Sequence, residues 1–403
     1  MNRRIFLSGL GAGMVASNLT YGVEPTLSKE KALIFVWLSG GISDIDFINP
    51  LPTAPLEIRS NRGFVKTKNG EYLGGDMKLL AAQSDKWTVV RNFHHRDANH
   101  QSATSWTMTS EPNFNNKSNN FPSHGSLISW KKGFANNGVP TYTQLSKIEG
   151  DGPAWLGAGH MGYKVDLQGA TNLTPSFQKG KLDQRLKMID IIEKTKPHLP
   201  QEWIDLRNKA VEMIYGNTSK ALDLSQVPQD IIKKYKADSS QIGKDLLIAQ
   251  RLVQAGASYV NVSLGGWDMH NNISDGFERK GTELDYCLSN LVSDLEIKGL
   301  LDKTLIVVAS EFGRTHKINT QGGRDHKAAC NSLLFAGGGH DHNKFIGKTD
   351  AIGSQVDGES LDPKDLSWTI ADHFGLDKGL VINDNANRPR PIFNDDAKNI
   401  VKG

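Results

Sequence analysis

"VVASEFGRTHKINTQGGRDHKAACNSLLFAGGG", residues 307–339, passes from one apolar strand through a burst of acids, histidines and glycines into a second apolar strand. The flanking runs, "KTLIVVASEF" (303–312) and "NSLLFAGGG" (331–339), are continuous rather than alternating, the pattern of strands buried on both faces. Working outward, "KALIFVWLSGG" (31–41), "KWTVVRNF" (86–93) and "ASYVNVSLGGWD" (257–268) have the same character. Amphipathic helical patterns surround 242–255 and 277–298, and "LSWTIADHFGL" (366–376) reads as a late helix. Strands alternating with helices predict an α/β fold: a mainly parallel central sheet, right-handed crossovers, and helices on both faces.

Length permits one large domain over 23–403, with an inserted helical and loop cap at about 111–250. Within that cap "NFNNKSNNF" (113–121) is a polar loop, and two helices rich in Lys and Glu flank "KPHLP" (196–200). The start differs in kind. In "MNRRIFLSGLGAGMVASNLTYG" Arg3 and Arg4 precede Phe6, Leu7 and a mildly apolar Gly/Ala run. That is the pattern of a twin-arginine export signal over 1–22, which predicts a periplasmic or secreted protein and the twin-arginine machinery as a partner.

Charge and cysteine content narrow the chemistry. The 47 basic and 44 acidic residues nearly cancel and form no long basic run, so nucleic-acid binding has no electrostatic footprint. No stretch reaches the length of a membrane span. Cys287 and Cys330 are too few for a disulfide framework or a thiolate metal site, and Cys287 falls on the apolar stripe Leu284, Leu288, Leu291, Leu295.

Polar clusters follow four of the strands: "SGGISDID" with Asp44 and Asp46, "HHRDANHQSA" with His94, His95, His100 and Ser102, "GGWDMH" with Asp268 and His270, and "SEFGRT" with Glu311 and Arg314. In open parallel sheets ligands bind beyond the carboxyl ends of the strands, so all four clusters point to one edge. Oxygen and imidazole donors without thiolate suit zinc, manganese, magnesium or calcium, and a metal so held can polarise an anionic ester. Arg314 offers a fork for phosphate or sulfate. The bland reading of the same residues is a rigid loop in which Glu311, Arg314, Arg324 and Asp325 pair with one another.

The export signal, "WLSGGISDIDFINP", "HHRDANHQSATSWTMTS", "GGWDMHNN", "SEFGRTHKIN" with "GGRDHKAACNSLLFAGGG", and "GKTDAIG" together resemble the exported family catalogued as domain of unknown function 1501, within the alkaline-phosphatase-like superfamily of phosphatases, sulfatases and phosphoglycerate mutases. The resemblance implies an alkaline-phosphatase-like fold and a metal-dependent hydrolase of a small anionic ester or a sulfated or phosphorylated glycan. It implies Asp46 or Asp44 as the first metal aspartate, Asp268, His270 and His326 as one metal site, and Glu311 in a second that is short of a ligand because Phe312 replaces a histidine. One ion per chain, or a second held weakly, is implied. On the superfamily's nucleophile helix His100 falls opposite the catalytic Ser or Thr, with Ser102 as the conservative alternative. His100 can then be nucleophile, ligand or substrate contact, while His94, His95, Asp325 and Arg324 touch substrate or support the ligands. The alternative is a degenerate relative that binds a glycan or partner protein without turnover.

Overall fold

The computed structural model describes residues 30–112, 121–133, 135–136, 138–165, 179–194, 207, 210 and 217–402. The twin-arginine segment, the loop 113–120 and "KPHLP" lie outside them.

Eight strands form the central sheet: β1 (Ala32–Leu38), β2 (Thr88–Phe93), β3 (Tyr142–Gln144), β4 (Tyr163–Lys164), β5 (Tyr259–Leu264), β6 (Thr304–Ala309), β7 (Asn331–Gly337) and β8 (Lys344–Ile346), in the order β8-β2-β7-β6-β1-β5-β3-β4. β1 pairs in parallel with both β5 and β6, and all seven of its residues are buried. Its side chains alternate between two cores: Ile34, Val36 and Leu38 enter one, Leu33, Phe35 and Trp37 the other. Helices α1 (Lys78–Ala82), α4 (Gln241–Ala255) and α5 (Thr282–Ile297) cover the first face, and Cys287 is buried there beside Leu284, Leu288, Leu291 and Leu295. The second is covered by α2 (His100–Thr109), α3 (His124–Lys132) and α6 (Pro363–His373) through Met108, Leu127, Ile128, Leu366 and Ile370.

Two features go beyond what the sequence pattern specifies. The stretch 111–250, read as an insertion, contributes β3 and β4 to the sheet and most of α4 to the core. The other is β7, which runs antiparallel to both neighbours, β6 and β2, and among the described strands of this sheet is the one so directed. A parallel neighbour would need a crossover helix returning the chain to the opposite edge, whereas an antiparallel one needs only a loop. Residues 310–330 therefore stay over the carboxyl edge of β6, which keeps Glu311, Arg314, Asp325 and His326 where β2 and β5 also end. A short ladder, Gly313–Arg314 against His326–Lys327, stiffens that loop.

Candidate metal centre

The carboxyl edge gathers side chains from three connections. His100 opens α2, whose first turn is capped by Asn99 accepting from the backbone N–H of Gln101 and Ser102. Asp268 and His270 follow β5, and Glu311 through His326 occupy the β6–β7 loop. The ligand atoms of His100, Asp268 and His326 lie within 4.8 Å of one another. His100 Nε2 stands 3.4 Å from Asp268 Oδ2, and His326 Nε2 stands 3.3 Å from Asp268 Oδ1. His270 Nε2 adjoins them, 3.0 Å from Asp268 Oδ1 and 3.1 Å from His326 Nε2.

The opposite ring nitrogens explain the convergence. Nδ1 of His100 meets Glu311 Oε1 at 2.7 Å, that of His270 meets Asp325 Oδ1 at 2.8 Å, and that of His326 meets the Ala98 carbonyl at 2.9 Å. Carboxylates and carbonyls only accept, so each Nδ1 carries the proton and donates it. In the neutral rings the three Nε2 lone pairs then face a carboxylate and one another. The buried His100 Nε2 has no hydrogen-bond partner among the described residues. That of His270 accepts from Arg314 Nη1 at 3.3 Å, which leaves it the least free of the three. Imidazole and carboxylate donors so arranged, with their outer nitrogens hydrogen-bonded, fit a divalent cation.

Arg314 is fully buried and points inward. Its Nε donates to the Gly41 carbonyl at 2.7 Å, Nη1 to the Arg324 carbonyl at 3.1 Å, and Nη2 to the Gly40 carbonyl and to Asp268 Oδ1. The fork read as a substrate clamp thus holds the Asp268 carboxylate that the histidines surround. Burial works upward on the Asp268 pKa, but the Arg314 hydrogen bond and charge outweigh it and hold the group down to about 2. His100 is raised, chiefly by its hydrogen bond to Glu311, whereas burial lowers His326. The His270 hydrogen bond lowers Asp325.

Other sequence candidates lie outside the three-residue group. Asp46 receives Arg324 Nε at 2.9 Å and the Ser43 hydroxyl at 2.7 Å, and Asp44 pairs with Lys327 at 3.3 Å. Both carboxylates are buried and already balanced by cations. Arg324 also donates to backbone carbonyls at Ile58 and Thr315, so it fastens the loop to the turn after β1. Ser102 is buried, and its hydroxyl turns to Asn99 Oδ1 at 3.3 Å. His95 contacts the Glu311 carbonyl and stacks near Trp106, while His94 is fixed through its backbone N–H to the Leu361 carbonyl. Phe312, which breaks the histidine pattern, is fully buried with its ring centroid 4.9 Å from that of His100 and 4.6 Å from that of His326. It is the wall against which two donor rings pack, a role that pattern reading registers only as a missing ligand.

A cavity of about 350 Å³ opens on this cluster, lined by His100, Asp268 and Glu311 together with Trp37, Gln101 and Thr104. It lies at the small end of ligand-sized pockets. A larger groove of about 1270 Å³ beside Trp155 and Arg390 includes none of the donor residues, so its size does not mark it as the reaction site.

The family described as protein of unknown function DUF1501 matches residues 30–402. No curated protein matches the chain. Similar solved structures include the PsFucS1 sulfatase from Pseudoalteromonas sp., at 12% identity over 91% of this chain and 72% of that one, TM-score 0.37. The lipoteichoic acid synthase LtaP from Listeria monocytogenes shares 10% identity over 90% and 79%, TM-score 0.39. The phosphonate monoester hydrolase SpPMH from Silicibacter pomeroyi shares 11% over 87% and 74%, TM-score 0.39.

Proposed function

The chain belongs to the DUF1501 family, and on that premise we propose that it is a hydrolase of phosphate or sulfate esters dependent on one divalent ion held by His100, Asp268 and His326. The observation that carries this reading is the shared arrangement of the histidines, each with Nδ1 spent on an acceptor and Nε2 turned toward Asp268. Such an ion supplies polarisation of an ester oxygen and a lowered pKa for bound water. The chain's own residues do the rest. Arg314 keeps Asp268 ionised, Phe312 fixes two rings, and Gln101 and Thr104 line the cavity wall beside His100. His100 acts as ligand in this scheme rather than as nucleophile. The engagement of Asp44 and Asp46 by Lys327 and Arg324 favours a single ion. A sulfated or phosphorylated glycan in the cell envelope is the substrate class, reached by twin-arginine export.

Elemental analysis of protein purified without chelator, followed by a panel of phosphate and sulfate esters, tests the reading. About one ion per chain with turnover supports it. Absence of both would leave the second reading, a binder of glycan or partner without catalysis, which the inward turn of the Ser102 hydroxyl favours.

A further inference from the structure

Glu311 is 1% exposed, and its carboxylate sits on the Nδ1 side of the His100 ring, opposite the Nε2 that approaches Asp268. Its Oε1 accepts from His100 Nδ1 and from the Gly40 backbone N–H, each at 2.7 Å, and its Oε2 accepts from the Ser310 hydroxyl at 3.1 Å. Gly40 has φ +119°, and a Cβ there would lie 2.4 Å from the Asp268 backbone nitrogen, so this turn abuts the loop carrying Asp268. The Gly40 carbonyl and Asp268 Oδ1 share one donor, Arg314 Nη2.

We infer that Glu311 is a positioning residue rather than a metal ligand: one buried carboxylate orients His100 directly and Asp268 through Gly40 and Arg314. The inference rests on the metal reading above and explains how donors from two separate connections keep a common focus. A ligating carboxylate must turn a lone pair toward the ion, whereas Oε1 is taken by two donors and no Glu311 oxygen joins the His100, Asp268 and His326 atoms that lie within 4.8 Å of one another. Carboxylates behind metal-binding imidazoles fix the tautomer and raise ligand basicity, and their loss costs about 10- to 100-fold in metal affinity.

The test compares Glu311→Gln, which keeps an acceptor for His100, with Glu311→Met, which keeps volume alone, both in the full chain. Titration of metal-free protein with Zn²⁺ and Mn²⁺ is expected to show a loss of about 10- to 100-fold for Glu311→Met and a clearly smaller one for Glu311→Gln. Equal large losses in both would mark Glu311 as a charged ligand and overturn the inference, as would wild-type affinity in Glu311→Met. A second measurement needs no metal and no turnover. Long-range ¹⁵N–¹H correlation spectra at alkaline pH, assigned with His100→Gln, should place the His100 proton on Nδ1 in wild type and Glu311→Gln, with Nε2–H appearing in Glu311→Met. A wild-type proton on Nε2 overturns the inference even if Glu311→Met does not fold. Wild-type protein that binds neither ion yet shows the Nδ1 tautomer would refute the metal reading and leave the orientation by Glu311 standing.

Discussion

At the residue scale the sharpest contrast lies between His100 and Ser102, two positions apart on α2. His100 Nε2 faces Asp268, whereas the Ser102 hydroxyl is turned to the cap at Asn99. His100→Ala is therefore expected to lose metal and turnover together, with partial recovery at high metal concentration. Ser102→Ala should keep stoichiometric metal and stay within a few-fold of wild-type turnover. Metal analysis beside rate measurement separates the outcomes, and an inactive Ser102→Ala that retains its ion would restore a hydroxyl nucleophile. Asp268→Asn and His326→Ala should each lower bound metal; stoichiometric ion in both would show that the ligand set is misassigned. The meeting of Asp268 and His326 at one edge was legible because imidazole and carboxylate in the connections that follow buried strands invite that reading. The roles of Glu311 and Arg314 were not, since sequence gives residue type but not which way a fork or carboxylate points. Their buried contacts with Gly40, Gly41 and Asp268 come from the structure alone, and on these the proposed supporting roles rest.

Among the elements, α3 carries a pH dependence that no motif advertises. His124 is 2% exposed, and neither of its ring nitrogens has a hydrogen-bond partner among the described residues. Burial pushes its pKa down to about 3. The unfolded chain takes up a proton near the ordinary histidine value, about 6.5, while the folded chain resists it. Stability is thus full above that value and falls as the pH drops from there toward 3. His124→Leu fills the site without a titrating group and should flatten the acid limb of denaturant-unfolding midpoints measured across pH 3–8, leaving the midpoint at pH 8 equal or higher. An unchanged acid limb would mean that other groups dominate. Helix α6 illustrates the opposite case, a feature written locally: Asp362 and Asp365 form a reciprocal capping box with Pro363 in the first turn. Asp362→Ala should cost about 1 kcal/mol by denaturant unfolding. The late helix was read over 366–376 without these signals and in the structure spans Pro363–His373, but the antiparallel course of β7 was not readable. A buried strand has the same apolar run in either direction, and only the absence of a helix between residues 312 and 331 hinted at a direct return.

For the whole molecule, the consequence of the proposed centre is thermodynamic. Its donors come from α2, the loop after β5 and the β6–β7 loop, so a bound ion links connections that follow β2, β5 and β6 across the sheet. Unfolding disperses those donors, and an ion that binds only the folded chain adds stability by mass action: about 2.7 kcal/mol when free metal is 100 times Kd. In chains of 150–250 residues each kcal/mol moves the midpoint by about 2–4 °C, and larger chains move less. Chelation should therefore lower the melting temperature of the wild-type protein by several degrees, reversibly on return of Zn²⁺ or Mn²⁺. His100→Ala, Asp268→Asn and His326→Ala should show little or no such shift, because each removes a donor. Ser102→Ala and Asp362→Ala should keep it, since neither position offers a donor to the ion, although the latter starts from a lower midpoint. Calorimetry with and without metal across these variants separates loss of a ligand from general destabilisation: a ligand variant loses the difference between the two scans, and a merely weakened protein lowers both. Equal metal-dependent shifts in all of them would place any bound ion elsewhere in the chain and remove His100, Asp268 and His326 from its coordination.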